Sequence, residues 1–85
     1  MKIQLRFFAS VREKLGVTEE IVNVSDEVRT VGDVRAWLAS RGELWAETLA
    51  PDAALRMAYD HVMCEVDTEI ADGSEVAFFP PVTGG

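Results

Sequence analysis

The strongest constraint on the fold is the alternation of apolar and polar residues near the start of the chain. Ile3, Leu5 and Phe7 fall on one side of an extended segment, residues 2–8, and the residues between them are polar. This period of two predicts a half-buried first strand. The chain has 85 residues, 48% of them apolar, so it can form one hydrophobic core but cannot enclose a deep substrate cavity. Any chemistry is therefore expected to be shared with a partner.

Two helices are predicted after this strand. Ser10 with Glu13 fits a capping box for a short helix. Thr30 with Asp33 forms a second such pair, followed by an apolar stripe that predicts the main helix, of about three turns. Residues 43–49 are compatible with either another turn or two of helix or a loop.

The remaining pattern predicts strands. Residues 18–24 are rich in β-branched side chains, residues 54–59 and 62–66 flank a tight turn, and residues 75–79 precede two prolines. The fold class is therefore α+β, with a mixed sheet of about five strands packed on one main helix. We expect the last strand to lie centrally, beside the first.

Charge and cysteine usage limit the partners and the compartment. Fifteen acidic residues against eight basic ones give a net charge of −7, which argues against nucleic acid or membrane as a partner and favours a basic protein surface. No apolar run is long enough to cross a membrane, and residues 1–3 do not begin a signal-peptide pattern. The single cysteine, Cys64, cannot form an internal disulfide. We expect a cytoplasmic protein.

Strand parity predicts an exposed apolar patch near the end of the chain. The residues expected to face the core are Val62, Cys64, Val66, Val76 and Phe78. Met63 and Phe79 then face outward on one side of the sheet, and Phe8 is a weaker third candidate. Exposed apolar side chains grouped in this way are typical of a partner-binding site.

Other chemically capable residues have structural interpretations. His61, next to a turn, is expected to be solvated or hydrogen-bonded, because no Cys, His or carboxylate spacing supports a metal site. Cys64 is expected to be a small buried hydrophobe, and Trp37 and Trp45 to be packing residues. The adjacent acids Glu19 and Glu20 are interpreted as solvated surface.

Four segments carry a resemblance to a known family: KIQLRFF, ASVREKLG, TVGDVRAWL and the ending DGSEVAFFPPVTGG. Together they resemble the MoaD family, the small sulfur-carrier subunit of molybdopterin synthase, over essentially the whole chain. The resemblance implies a ubiquitin-like β-grasp domain over residues 1–81 and an extended Gly-Gly tail over residues 82–85. The thiamine-pathway sulfur carrier is similar but generally shorter.

The resemblance implies that the chemistry takes place on the carboxylate of Gly85. Because an ionised carboxylate is a poor electrophile, it must be activated. In the family, an adenylating enzyme of the MoeB type uses ATP to couple this carboxylate to AMP, and sulfur then displaces AMP to give a thiocarboxylate. The large synthase subunit, of the MoaE type, uses that sulfur to thiolate a cyclic pterin phosphate. The small chain is then a co-substrate without catalytic residues, permanently bound cofactor or metal, in a heterotetramer of two large and two small subunits.

The composition of the ending suits entry into a partner's active site. The residues of the tail are Val82, Thr83, Gly84 and Gly85. Gly84 and Gly85 have no Cβ, so they can pass through a channel that any side chain would block. Pro80 and Pro81 restrict φ and favour an extended departure from the sheet, next to the partner-binding Phe79.

Other functions are compatible with the same residues. In a ubiquitin-like modifier, a lysine would attack the activated Gly85 and form an isopeptide bond. A thiamine-type carrier would use the same thiocarboxylate for another product. In a pure interaction module, the sheet would bind a partner and the terminal residues would be inert.

Overall fold

The computed structural model describes residues 1–81, which form one five-stranded sheet and three helices. In chain order the elements are β1 (Lys2–Phe7), α1 (Ala9–Leu15), β2 (Glu19–Asn23), α2 (Val31–Ala39), α3 (Glu43–Thr48), β3 (Arg56–Tyr59), β4 (Val62–Cys64) and β5 (Glu75–Phe79). The strand order is β2-β1-β5-β3-β4. β5 runs parallel to β1, and the other neighbouring pairs are antiparallel. The predicted central position of the last strand is confirmed.

The core lies between the sheet and the helices. Side chains with no solvent exposure come from β1, β5 and α2: Ile3, Leu5, Phe7, Val76, Phe78, Val31, Val34 and Leu38. The period of two in β1 and the helical stripe in α2 therefore bury their apolar faces against each other, as predicted. The opposite face of the sheet, which we call the outer face, carries the alternate strand positions.

The start of α2 is fixed by its own sequence. The predicted capping box is present: the Asp33 backbone N–H donates to Thr30 Oγ1 at 3.1 Å, and the Thr30 N–H donates to the Asp33 carboxylate at 3.2 Å. The Gly32 N–H donates to the Val66 carbonyl at 2.8 Å. A Cβ on Gly32 would lie 2.9 Å from that carbonyl oxygen, so the close approach requires glycine.

The start of α1 differs from the prediction. The capping box proposed for Ser10 and Glu13 is wrong, because the helix begins at Ala9 with Phe8 in the N-cap position and has no side-chain cap. Helix α3, Glu43–Thr48, decides in favour of helix for residues 43–49, where helix and loop were both compatible with the sequence. Within residues 1–81, no helix is both long and apolar enough to cross a membrane.

The predicted burial of two residues at the edge of the sheet is wrong. Val62 is 66% exposed and Val66 is 50% exposed. The register places Val62 opposite Tyr59 and Cys64 opposite Met57, so the parity itself is correct. However, β4 is an edge strand, and the helices pack over the central strands. The strand also ends at Cys64 rather than at the predicted residue 66, so Val66 lies in a turn beyond the sheet. Parity gives the side of the sheet, and burial depends on what covers that side.

Candidate functional site

The candidate site lies where β5 ends. This strand is central, with hydrogen-bonded neighbours on both sides. Its side chains Val76 and Phe78 are fully buried, so the strand is held by core packing as well as by the backbone hydrogen bonds of the sheet. Pro80 and Pro81 follow and are half-buried. The chain therefore reaches Pro81 from the middle of the sheet rather than from its edge.

Phe79, which directly precedes these prolines, forms an aromatic pair with Phe8, the residue that follows β1. Their ring centroids lie 6.5 Å apart with an interplanar angle of 83°, which is edge-to-face packing. Phe8 is 38% exposed, whereas Phe79 is half-buried because the Phe8 ring packs against it. The expectation of an exposed Phe79 is therefore corrected: Phe8, the weaker candidate, is the more exposed of the two rings.

Met63 occupies the same outer face, farther across the sheet. It is 56% exposed, which confirms the predicted exposure. Met63 lies opposite Ala58, and Ala58 lies opposite Ala77 of β5. The two alanines lie in the row that runs across the strands from Met63 to Arg6, and Phe79 lies two residues farther along β5. The structure thus places Phe8 and Phe79 in contact and separates Met63 from them by one strand.

Two arginines that sequence reasoning did not single out flank the aromatic pair. Arg56 is exposed and lies opposite Phe79 in the β3–β5 pairing. The Arg6 guanidinium lies 5.2 Å from the centroid of the Phe8 ring and 3.9 Å from the Glu75 carboxylate. Both arginines occupy outward positions by the period of two, so the sequence contained the signal that would have found them.

The turn between β3 and β4 is tied to the central strand. Asp60 and His61 have φ values of +46° and +70°, as a two-residue hairpin turn requires. The Glu75 N–H donates to Asp60 Oδ1 at 2.8 Å. The His61 ring is 76% exposed and lies 3.6 Å from the Glu75 carboxylate, which agrees with a solvated histidine. Within residues 1–81, no cluster of three or more His, Cys or acidic side chains is arranged to hold a metal ion.

On the helix side, the guanidinium of Arg41 is bound by other side chains of the same chain. Its guanidinium donates to both carboxylate oxygens of Glu20, at 2.9 and 2.7 Å. It also stacks 5.0 Å from the Trp37 centroid and 4.7 Å from the Trp45 centroid. The hydrogen bond from Arg41 holds the pKa of Glu20 below its usual range. Glu20 lies at the surface, as predicted, but its carboxylate is paired with an arginine 21 positions away rather than only solvated.

Arg35 is the second arginine whose donors are used internally. It is 8% exposed and donates to the carbonyl oxygens of Leu49, at 2.9 Å, Ala53, at 3.2 Å, and Ala50. Burial lowers the pKa of the Arg35 guanidinium. These bonds satisfy carbonyl groups beyond the end of α3, so Arg35 has a structural role.

Cys64 has the environment of a structural cysteine. It is half-buried, and burial raises the pKa of its thiol, so less thiolate is present at neutral pH. The prediction that Cys64 is a small buried hydrophobe is thus only partly confirmed, because the side chain is half-buried rather than buried. The remaining predicted site residues, Val82, Thr83, Gly84 and Gly85, lie outside the described residues.

The topology defines the class of protein. A mixed five-stranded sheet with this strand order, and a helix packed across one face, is the ubiquitin-like β-grasp fold. The sequence profile of the ThiS family matches residues 5–85. The chain belongs to the ThiS family.

Relatives and solved structures agree with this assignment. The molybdopterin synthase sulfur carrier subunit of Escherichia coli is 40% identical, over 98% of this chain and 99% of that protein. Small archaeal modifier protein 3 of Haloferax volcanii is 33% identical over the full length of both chains. The crystal structure of SAMP1 from Haloferax volcanii has a TM-score of 0.81 at 26% identity and covers 100% of each chain.

Proposed function

We propose that this chain is a sulfur carrier for molybdopterin synthesis, acting in the cytoplasm. The observation that carries the proposal is the 40% identity, over nearly the full length of both chains, to the sulfur carrier subunit of Escherichia coli. The geometry supports it, since the last described residues leave a central strand beside an apolar patch. This arrangement suits a protein whose folded domain binds a partner while its last residues react.

The reacting group in this proposal is the carboxylate of Gly85. It attacks ATP, displaces pyrophosphate and forms an acyl-adenylate in the active site of a MoeB-like adenylating enzyme. A sulfur nucleophile from a donor then attacks the acyl carbon, and AMP leaves. The product is a thiocarboxylate, whose sulfur is transferred to a cyclic pterin phosphate. Each step needs groups supplied by partners, so the chain is a sulfur-donating subunit rather than an enzyme.

The domain formed by residues 1–81 positions that group. Phe8, Phe79 and Met63 would contact the partners, and Pro80 and Pro81 would direct the residues that follow. Val82, Thr83 and Gly84 would thread into the partner's site. The partner in synthesis would be a MoaE-like large subunit, in a heterotetramer of two large and two small subunits.

Intact-mass spectrometry tests the proposal. The chain is incubated with its cognate adenylating enzyme, ATP and a sulfur donor, and its mass is compared with that of untreated chain. We expect an increase equal to the replacement of one oxygen atom by sulfur. An unchanged mass, with an adenylating enzyme shown to release pyrophosphate on this chain, would contradict sulfur carriage.

Cys64 provides the matched control for this experiment. A persulfide on its thiol would add a sulfur atom without loss of oxygen, and Cys64→Ala cannot form one. Because Cys64 is half-buried and its thiol pKa is raised, Cys64→Ala should acquire the same mass increase as the wild type. A variant lacking Gly84 and Gly85 should remain unmodified.

A second function, protein modification, is favoured by the archaeal relative. That protein, 33% identical, is named a small archaeal modifier. If this chain acts in the same way, a lysine attacks activated Gly85 and an isopeptide bond forms. Conjugates that are resistant to thiol reagents and absent from the variant lacking Gly84 and Gly85 would support modification. Sulfur on Gly85 without such conjugates would support the carrier alone.

A further inference from the structure

Strand β2 lies at the edge of the sheet and has a hydrogen-bonded neighbour on one side only. Among residues 1–81, that neighbour is β1. The open side of an edge strand presents unpaired N–H and C=O groups, which can pair with a strand of another chain. We propose that two copies of this chain associate through β2, whose open edges pair in antiparallel register centred on Ile21. This contact goes beyond the proposed sulfur-carrier function and does not depend on it.

The hydrogen bonds to β1 show which residues face the open edge. The Phe7 N–H donates to the Thr18 carbonyl and the Val24 N–H donates to the Met1 carbonyl, both at 2.9 Å. Hydrogen-bonded pairs alternate with non-hydrogen-bonded pairs in an antiparallel ladder, so the even-numbered residues of β2 bond to β1. The odd-numbered residues direct their backbone N–H and C=O groups to the open edge: Glu19, Ile21 and Asn23.

These three residues match those of a second copy related by a two-fold axis at Ile21. Ile21 then lies opposite Ile21 of the second copy, and Glu19 of each copy lies opposite Asn23 of the other. Each pair exchanges two backbone hydrogen bonds, about six in all. The Ile21 side chain is 62% exposed in the single chain, so pairing also removes apolar surface from water. Because the contact is closed by the two-fold axis, association stops at a dimer.

The charges beside this contact are complementary, although the whole chain has a net charge of −7. Within each copy, Arg6 lies opposite Glu19 and Lys2 lies opposite Asn23. A row across the four strands of the dimer therefore contains Arg6 and Glu19 of one copy, followed by Asn23 and Lys2 of the other. Each carboxylate lies between a guanidinium and an amide, and no two acids are opposite each other. Like charges directly opposite would destabilise the pairing.

Glu20, the other acid of β2, brings no unpaired charge to the contact. Its carboxylate accepts hydrogen bonds from the Arg41 guanidinium at 2.9 and 2.7 Å. In the dimer, Glu20 lies opposite Val22 of the second copy, on the face that the helices cover. The acidic residue at the centre of the strand is therefore neutralised within its own chain.

The opposite edge of the sheet offers less backbone for pairing. β4 has only three residues, Val62–Cys64. A two-residue turn precedes it, so both Val62 and Cys64 form hydrogen-bonded pairs with β3. Met63 is then the one residue of β4 whose backbone groups point to the open edge. Pairing through β4 would form about two hydrogen bonds instead of about six, which favours β2.

The dimer leaves the end of β5 uncovered. β5 is two strands away from β2, so five strand spacings, about 24 Å, separate the two β5 strands of the dimer. The two-fold axis makes these strands run in opposite directions. Phe79 and Pro80 lie outside the contact, so both copies keep the surface that the proposed function requires.

Sedimentation equilibrium of the full chain tests the proposal. Concentrations up to about 1 mM are needed, because a contact of this size is weak. Salt at about 0.15 M screens repulsion between distant charges. We expect a mass that rises with concentration from monomer to dimer. Ile21→Pro removes a central N–H donor that points away from β1, so it should abolish the dimer while the chain still folds.

Substitutions at Asn23 test the register. Asn23→Lys and Asn23→Glu change the charge opposite Glu19 of the second copy, twice in each dimer. Lysine should tighten the dimer about fivefold and glutamate should weaken it about fivefold. Val62→Lys and Val62→Glu are the matched controls, since Val62 is 66% exposed on the opposite edge strand. Each control should change the dimer affinity by less than about twofold.

The outcomes distinguish this contact from a general effect of charge. Opposite effects of the two Asn23 variants, with small effects at Val62, support the proposal. A wild-type chain that stays monomeric up to about 1 mM, a dimer that persists in folded Ile21→Pro, or equal effects at Asn23 and Val62 would each overturn it. If circular dichroism shows that Ile21→Pro does not fold, the Asn23 and Val62 variants decide. Sulfur transfer to Gly85 is measured separately and can fail while the dimer forms.

Discussion

The two sides of the sheet use their arginines differently. On the helix side, Arg41 donates to both oxygens of Glu20 and stacks on two tryptophans, and Arg35 donates to three backbone carbonyls. On the outer face, Arg56 has no ion pair among the described residues and Arg6 has only a long one. On the helix side the arginines stabilise the fold through contacts within the chain. On the outer face Arg6 and Arg56 make fewer such contacts.

The largest expected effect on stability is at Arg35. Arg35→Ala removes the donor to the carbonyl oxygens of Leu49, Ala50 and Ala53, so we expect a loss of about 3 kcal/mol in the free energy of unfolding. Urea denaturation measures this. Arg56→Ala is the matched control on the outer face and should change the value by less than about 0.5 kcal/mol. Similar losses for the two variants would remove the distinction between the two sides.

Arg41 should show an intermediate effect. Arg41→Ala removes the paired hydrogen bonds to Glu20 and the stacking on Trp37 and Trp45, which together contribute about 1 to 2 kcal/mol. The same denaturation experiment measures the loss. Arg41→Lys should recover only part of it, because an ammonium cannot bind both carboxylate oxygens and stack as a plane. Full recovery by lysine would show that charge alone is responsible.

The pair of Arg41 and Glu20 also predicts a pH dependence. The Arg41 hydrogen bond lowers the pKa of Glu20 in the folded state, so its stabilisation is present above the ordinary glutamate pKa of about 4.3 and is lost as pH falls through the lowered value. At neutral pH the free energy of unfolding of the wild type should exceed that of Glu20→Gln by less than about 1 kcal/mol. This difference should shrink toward about pH 3. A difference that grows on acidification would contradict the assignment.

Met63 should show the smallest effect on stability. It is 56% exposed, so Met63→Ser should change the free energy of unfolding by less than about 0.5 kcal/mol. If the outer face binds the large subunit, the same substitution should weaken that binding severalfold. Calorimetric titration beside urea denaturation separates the two effects. Equal losses in both would indicate that Met63 acts through the fold.

Features fixed by neighbouring residues could be predicted from the sequence. The alternation in β1 and the capping pair of Thr30 with Asp33 both depend on local spacing, and both are confirmed. The cap proposed at Ser10 failed although its spacing was equally good, because the helix starts two residues earlier, after Phe8. A local signal of this kind shows that a helix can start at a position, and packing decides where it does start.

Features that depend on distant residues could not be predicted. Phe79 is half-buried because Phe8, from a distant part of the chain, packs on it, and Glu20 is paired because the turn after α2 brings Arg41 to it. Val62 is exposed because it lies on an edge strand. In each case, strand parity gave the correct face and the neighbour came from the tertiary structure.

The central claim is that sulfur is carried on Gly85, and locating the sulfur tests it most directly. After reaction with the adenylating enzyme, ATP and a sulfur donor, the chain is cleaved after Arg56 and the fragment of residues 57–85 is sequenced by tandem mass spectrometry. The account predicts that oxygen is replaced by sulfur on Gly85 and that Cys64 is unmodified. Sulfur on Cys64 with an unaltered Gly85 would contradict it.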